Sequence, residues 1–265
     1  MTVALVAGEG LLPEEIVRRM AGGGSRPVVY AIRENYESIA PYALDVVPVF
    51  RTELAATLKD MASRGIKSVM FAGLVPKTLM YRSAMLDSMA RSFVASLESR
   101  DDHSLLSGIV ALFERAGFEV VGYRDILGDL LACSGVVAGR PPSDEEAEEA
   151  AYGVEIARVI VPLSFGQSVI VNRRSVVAVE AMEGTDAAIL RAGSLCRGGV
   201  LVKMIKQGQD SRYDIPVVGP STLSLMSRAG LTCLAIHAGW TLVLSPEEFS
   251  KAAAEKDISV VGVDY

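Results

Sequence analysis

Histidine and cysteine, the residues that build most zinc sites, are scarce in this sequence, with two histidines and three cysteines among 265 residues. Cys133, Cys196 and Cys233 stand far apart without a CxxC pairing, and His103 and His237 are too far apart in sequence, and too unaccompanied, to suggest a histidine zinc site. Neither a zinc site nor a disulfide framework is expected, and a reducing cytoplasm is the expected compartment. Positive charge is also in short supply: the formal net charge is -6. A nucleic-acid binder draws its affinity from a basic face that releases counterions, so nucleic acid is not an expected partner. No apolar run approaches the roughly 18 residues of a membrane-spanning helix, and MTVALVAGEG carries no basic leader. A span and a signal peptide are therefore not expected either. No internal repeat or low-complexity tract interrupts the chain.

What is present is apolar and periodic. Half of the residues are hydrophobic and 22% are charged, enough to bury the core of one large domain or of two ordinary ones. TVALVAG (2–8), PVVYAI (27–32), LDVVPVF (44–50) and SVMFAGL (68–74) read as strands. PEEIVRRM, TELAATLKDMASRG (52–65), SAMLDSMARSFVASL (83–97) and HSLLSGIVALFERAG (103–117) read as helices between or after them, and EVVGYRDIL opens a further strand. Such alternation predicts a mostly parallel sheet, Rossmann-like in order. GRPPSDEEAEEAAYG (139–153) breaks the pattern with Pro141–Pro142, and Ser143 with Glu146 predicts a capping box on an acidic helix. The domain boundary is placed here, giving an N-terminal domain over 1–138 and a C-terminal catalytic domain over 139–265. The second domain is expected to be a mixed α/β sheet. QSVIVNRRSVVAVEAM reads as a hairpin turning over Asn172 to Ser175. GGVLVKMI, LTCLAIHA, WTLVLS and SVVGV continue the strands, with helices near 220–229 and 246–256, the last capped by Ser245 and Glu248.

Four stretches carry possible chemistry. AGEGLLP (7–13) stands between the first strand and the first helix, where backbone amides at Gly8 and Gly10 can receive an anion. A nicotinamide fingerprint would need glycine where Pro13 stands, and Glu34 is only loosely placed to serve as its acid. ESRDDHSLL (98–106) can bind a hard cation or cap the helix it precedes. In EAMEGTDAA (180–188), Gly184 and Thr185 make an anion-receiving corner at a helix start. Glu180, Glu183 and Asp186 are acids able to hold magnesium against that anion, and an ordinary capped turn uses the same residues. KMIKQGQDSRYDIPVVGPST (203–222) gathers charge at the carboxyl end of an apolar strand, where open α/β sheets build sites. There Lys203, Lys206 and Arg212 can neutralise a diphosphate, with Gln209 beside them, while Asp210 and Asp214 can coordinate a metal or orient water. The bland alternative is a solvated loop.

AMEGTDAAILRAG followed by GGVLVKMIKQGQDSRYDIPVVGPST resembles the LpxI-type UDP-2,3-diacylglucosamine diphosphatases of the lipid A pathway. AGEGLLP, RDDHSLL, DILGDLLA (125–132) and AGLTCLAIHAGWTLVL extend the likeness over nearly the whole chain, although the family more often shows AGGGELP and GDDALL. The resemblance implies hydrolysis of UDP-2,3-diacylglucosamine to UMP and 2,3-diacylglucosamine 1-phosphate (lipid X), with Mg2+ or Mn2+ held by acids among Asp210, Asp214, Glu183 and Asp186. It also implies water attack on the α-phosphorus and two α/β domains clasping the lipid. A lipid substrate implies peripheral contact with the inner face of the inner membrane. The Met85–Met89–Phe93 stripe fits an acyl wall or an ordinary core face. Two rivals stay open, a nicotinamide-dependent oxidoreductase and a non-enzymatic nucleotide-lipid carrier, and so does the oligomeric state, a homodimer included.

Overall fold

A computed structural model describes residues 2–32, 35–49, 53–75, 87–97, 99, 102–206, 208 and 210–264. The chain divides into two compact units. The first comprises Met1–Leu127 together with Asp210–Asp214, and the second comprises Gly128–Gln209 and Ile215–Tyr265.

In the first unit, β1 (Val3–Ala7), β2 (Val28–Ala31), β3 (Asp45–Pro48), β4 (Ser68–Ala72) and β5 (Glu119–Val120) form a five-stranded sheet of order β3-β2-β1-β4-β5. Every pairing in it is parallel, as expected for strands linked through helices. The order reverses between β1 and β4, which makes that junction the switch point where such sheets open a crevice. Helices α1 (Leu12–Gly22), α2 (Leu54–Ser63), α3 (Ser88–Ser96) and α4 (Asp102–Arg115) accompany the strands. Pro13 lies in the first turn of α1, whose Ile16, Val17 and Met20 are buried. Alternate residues of the central strands, Ala4, Val6, Val28, Tyr30 and Val69, meet Leu58 and Met61 of α2 and Val110 and Phe113 of α4 in one core. Phe113 stands edge-on to Phe71, with ring centroids 4.9 Å apart. Tyr213, from the excursion at 210–214, is buried in the same core.

The second unit opens with β6 (Gly135–Ala138) and the long helix α5 (Asp144–Ile160), followed by the hairpin β7 (Ser168–Asn172) and β8 (Ser175–Val179). Then come α6 (Thr185–Leu195), β9 (Val200–Lys203), β10 (Val217–Val218), α7 (Pro220–Ala229), β11 (Cys233–His237), β12 (Leu242–Val243), α8 (Pro246–Glu255) and β13 (Ser259–Val263). Six strands lie in the order β6-β13-β11-β9-β7-β8, and β10 pairs with β12 in a separate two-stranded sheet. Strands β9, β11 and β13 are parallel, whereas β6, β7 and β8 add antiparallel pairings, so the sheet is mixed. Strand alternation divides the core between its faces. Val169, Val171, Val200 and Val202 pack on α5, and Ile170, Leu201, Leu234 and Val260 pack with residues of α6, α7 and α8.

The division falls at Leu127/Gly128, and Gly135–Ala138, placed before the 138/139 boundary by sequence, is an edge strand of the second sheet paired with β13. The capping box of α5 is present: Ser143 Oγ accepts from Glu146 N at 3.2 Å, and Glu146 Oε2 accepts from Ser143 N at 2.9 Å. The box expected on α8 is not. Ser245 has φ 49°, a left-handed conformation, and its side chain makes no cap. Pro246 and two first-turn acids, Glu247 and Glu248, start that helix instead. The β7–β8 turn carries Arg173 and Arg174 at φ 50° and 55°, the conformation a two-residue hairpin needs and usually obtains from Asn-Gly. Glu149 of α5 offsets the strain by accepting from Arg174 N at 2.7 Å.

Candidate functional site

Three strand ends of the second sheet place polar residues on one face. Ile170, Ala178 and Leu201 all point into the core on the α6 side. Two residues further along that face lie Ser168 at the start of β7, Glu180 just past β8 and Lys203 at the end of β9. Pairing puts Ser168 directly beside Lys203. The Lys203 Nζ, on a residue only 8% exposed, donates to Thr185 Oγ1 at 2.9 Å and to Ser168 Oγ at 3.5 Å, and the two hydroxyl oxygens are 3.4 Å apart. Glu180 Oε2 accepts the Gln167 N–H at 3.2 Å. Burial pushes the Glu180 carboxyl up, but the Lys203 charge, the Ser168 and Thr185 hydroxyls and the Gln167 amide outweigh it and hold the group below the ordinary carboxylate value. Thr185 is the first residue of α6, whose N-cap, Gly184, has φ 82° and no side-chain cap. A buried ammonium, a hydroxyl and the positive end of a helix dipole thus meet at one corner, a chemistry suited to an anionic oxygen. Lys206 Nζ reaches Ser164 Oγ at 3.5 Å in the same unit.

The charged segment does not stay in one body. Lys203 and Lys206 belong to the second unit, and Asp210, Arg212 and Asp214 to the first. Arg212 is a strut there: Nη2 and Nε grip Asp210 at 2.6 and 3.0 Å, while Nη1 reaches Glu114 Oε1 at 2.8 Å and Val120 O at 3.3 Å. Its guanidinium is held well above its ordinary value by Asp210 and Glu114. Asp214 has φ 56°, a left-handed conformation that costs an L-residue energy and collects at functional positions. Glu183 is tied to Arg191 at 2.5 Å, its carboxyl lowered by its own backbone amide and then by Arg191, and Asp186 lies exposed in the first turn of α6. Among the described residues, no group of three or more His, Cys, Asp or Glu is placed to hold a metal ion. Asp210 and Glu183 each face an arginine, so the acids expected to hold magnesium do not form a ready set.

In the first unit, the glycine loop after β1 is closed by backbone. Gly8 N donates to Ala72 O at 2.8 Å, Glu9 N to Leu74 O at 2.8 Å, and Leu74 N returns to Glu9 O at 2.9 Å. A Cβ at Gly8 would lie 2.6 Å from Leu74 O, so glycine is needed for the close pass of the β4 exit, and its amide is engaged there. Gly10 has φ 100° with open space around its Cα. Glu34, Met85, Asp101 and Gln209 lie outside the described residues. Met89 is 40% exposed, and the Phe93 ring rests on Gly108 of α4.

Residues 2–130 match the family model of the LpxI N-terminal domain, and residues 133–261 that of the LpxI C-terminal domain. The chain is also 32% identical, over 99% of its length and 97% of the relative's, to the UDP-2,3-diacylglucosamine pyrophosphatase LpxI of Caulobacter vibrioides. The chain belongs to the LpxI family.

Within this LpxI-family chain, Lys203, Gly184 and Thr185, each named from its sequence motif, lie together at this corner with Ser168, which no motif singled out, and Glu180 reads from sequence as an acid available to a cation. The structure sets Glu180 next to Ser168 and the Gln167 N–H, where the Lys203 charge helps hold its carboxyl low. The signal was present in strand alternation: each of SVI, VAVE and VLVK sets one polar residue two positions from an apolar residue of the same core face.

Proposed function

We propose that this chain hydrolyses the diphosphate of UDP-2,3-diacylglucosamine, releasing UMP and 2,3-diacylglucosamine 1-phosphate in lipid A biosynthesis. The full-length relationship to a pyrophosphatase named for that substrate carries the reading. The Lys203–Thr185 corner supports it, because phosphoryl transfer asks chiefly for charge neutralisation and positioning. In this mechanism Lys203, Thr185 and the first turn of α6 bind phosphate oxygen, Lys206 adds positive charge, and Asp214 positions water. Arg212 acts indirectly, by fixing Asp210 and the backbone that carries Asp214.

A requirement for Mg2+ or Mn2+ belongs to the same proposal and rests on the substrate's chemistry. A hard cation brought by a diphosphate needs only one or two protein carboxylates, not a cage. A nicotinamide role finds little support, since the Gly8 and Glu9 amides are spent on the β4 exit. Among the described residues no helix is long and apolar enough to cross a membrane, and the lipid substrate favours peripheral contact at the inner membrane's cytoplasmic face. Release by salt or mild detergent supports that placement, and resistance to alkaline washing refutes it.

The deciding experiment incubates purified protein with UDP-2,3-diacylglucosamine and magnesium in water enriched in heavy oxygen. Turnover separates an enzyme from a carrier. Label in UMP reports attack on the α-phosphorus, the outcome the resemblance leads one to expect, and label in the sugar phosphate moves the attack to the other phosphorus.

A further inference from the structure

The mechanism above gives Glu180 no part, yet the fold goes to some length to set it, partly buried, on the same sheet face as Lys203. Gly166 lies so close to the chain at Glu180 that a Cβ there would stand 2.3 Å from Glu180 O, and this close pass delivers the Gln167 N–H to the carboxylate. The Ser168 and Thr185 hydroxyls accept from Lys203, and Ser168 stands on the strand between Lys203, its partner on β9, and Glu180, whose N–H donates to Ser168 O at 2.9 Å; both hydroxyls also help hold the Glu180 carboxyl low. Each hydroxyl turns a lone pair to the ammonium, which leaves its hydrogen for the carboxylate side or for the other hydroxyl, 3.4 Å away. Two of the three Lys203 donors are thereby fixed in direction. A partly buried pair of opposite charges is a poor source of stability, because desolvation cancels most of their attraction and an apolar pair of similar volume often does as well. Its place at the strand ends, against the uncapped start of α6, is better accounted for by what it holds ready than by what it stabilises.

We infer that Glu180 is a positioning residue for phosphate binding: through the Ser168 and Thr185 hydroxyls it fixes the Lys203 ammonium at the start of α6, in the orientation that receives a phosphate oxygen of the substrate. The inference rests on the reading that this corner takes the diphosphate, and it adds that Glu180 acts only through Lys203.

The test measures kcat and KM on UDP-2,3-diacylglucosamine, and the Kd of UDP by calorimetry, for the wild type, Glu180→Gln, Glu180→Asp, Lys203→Met and the Glu180→Gln/Lys203→Met double variant. Glu180→Gln is expected to lower kcat/KM and weaken UDP binding by about tenfold to a hundredfold, the range seen when an outer hydrogen-bond partner of a ligand-binding group is lost. Glu180→Asp is expected to recover part of both. In the Lys203→Met background, Glu180→Gln is expected to add less than about twofold, because contacting residues that act as one unit are not additive. The melting temperature falls whether or not Glu180 has this role, since Lys203 loses its counter-charge, so all constants are taken well below it. Should Glu180→Gln not fold, Ser168→Ala removes the hydroxyl that stands between Glu180 and Lys203 without removing a phosphate ligand, and is expected to weaken UDP binding in the same direction; unchanged affinity there overturns the inference. Unchanged UDP affinity in Glu180→Gln overturns the inference, as does an equal loss from Glu180→Gln with and without Lys203. A wild type that leaves the lipid substrate intact, but binds UDP in a Glu180-dependent way, overturns the assigned reaction and keeps this inference.

Discussion

After β1 and β4, the first sheet closes its carboxyl edge with backbone, Gly8 and Glu9 bonding to Ala72 and Leu74 across the switch point. The second sheet ends otherwise: past β8 and β9 it sets a partly buried carboxylate, a buried ammonium and two hydroxyls against a helix start. By strand order, the first unit is the one that looks built for a nucleotide. By chemistry, the second unit holds the corner proposed to receive an anion. Architecture locates where a site can form, and the side chains at that place decide whether one does.

Both the assigned chemistry and this contrast can be broken. The largest effect is expected from chelation: exhaustive removal of divalent metal abolishes turnover, and magnesium or manganese restores it. Full activity after metal removal sinks the cation requirement. Next is Asp214→Asn. Asparagine keeps the left-handed backbone at φ 56° and the side-chain size, so strain is matched and only the charge is lost. Turnover is expected to fall by at least about a hundredfold while the melting temperature holds. Near-normal turnover would move the catalytic assignment to Asp210, despite its pairing with Arg212.

Smaller effects separate the two edges by stability. Gly8→Ala puts a methyl 2.6 Å from Leu74 O and is expected to destabilise the first unit by about 1–3 kcal/mol; an unchanged melt would mean that the backbone closure yields freely. In the second unit, Glu146 meets Arg140 through bonds of 2.6 and 2.7 Å. Burial raises the Glu146 carboxyl, but Arg140 and the Ser143 amide bring it from the ordinary 4.5 down to about 2. A depressed carboxyl contributes stability that is complete above its unfolded value and is lost as the pH falls through the folded one. The melting temperature should therefore drop between pH 4.5 and about 2, and Glu146→Gln should flatten that limb. An equally steep limb in the variant assigns the acid sensitivity to another group. The smallest change expected is a gain of about 0.5–1 kcal/mol from Arg174→Gly, which relieves φ 55° and keeps the amide that Glu149 accepts from. A loss instead would show that the Arg174 side chain contributes more than its backbone costs.

Most elements were legible because their apolar period was clean: β1, β2, β4, β9, β11 and β13 appear where VALVA, VVYA, SVMFA, VLVK, CLAIH and SVVGV place them. What escaped was decided far away in sequence. EVVGYRDIL reads as a full strand, yet β5 stops at Val120; a Cβ on Gly122 would lie 3.0 Å from Arg212 Cα, so the 210–214 excursion packs where the strand would continue. No local pattern announces a contact across 98 residues such as Arg212–Glu114. WTLVLS likewise shrinks to Leu242–Val243, paired with the equally short β10. At the site, charge type was readable and partnership was not. Arg212 and Lys203 look alike as cations in a loop, but one is consumed by Asp210 and Glu114 while the other is buried among hydroxyls.

The excursion that brings Tyr213 into the first core also bears on how the chain is born. Domains generally form in the order in which synthesis releases them. Residues 1–127 leave the ribosome well before Tyr213 exists, and that side chain, 5% exposed in the finished protein, fills a place in their core. The first unit to be made is therefore the one that must wait. Its core is sealed only after all of β6 to β9 has followed it out, so an N-terminal fragment cut at Leu127 is a core lacking one of its aromatic rings.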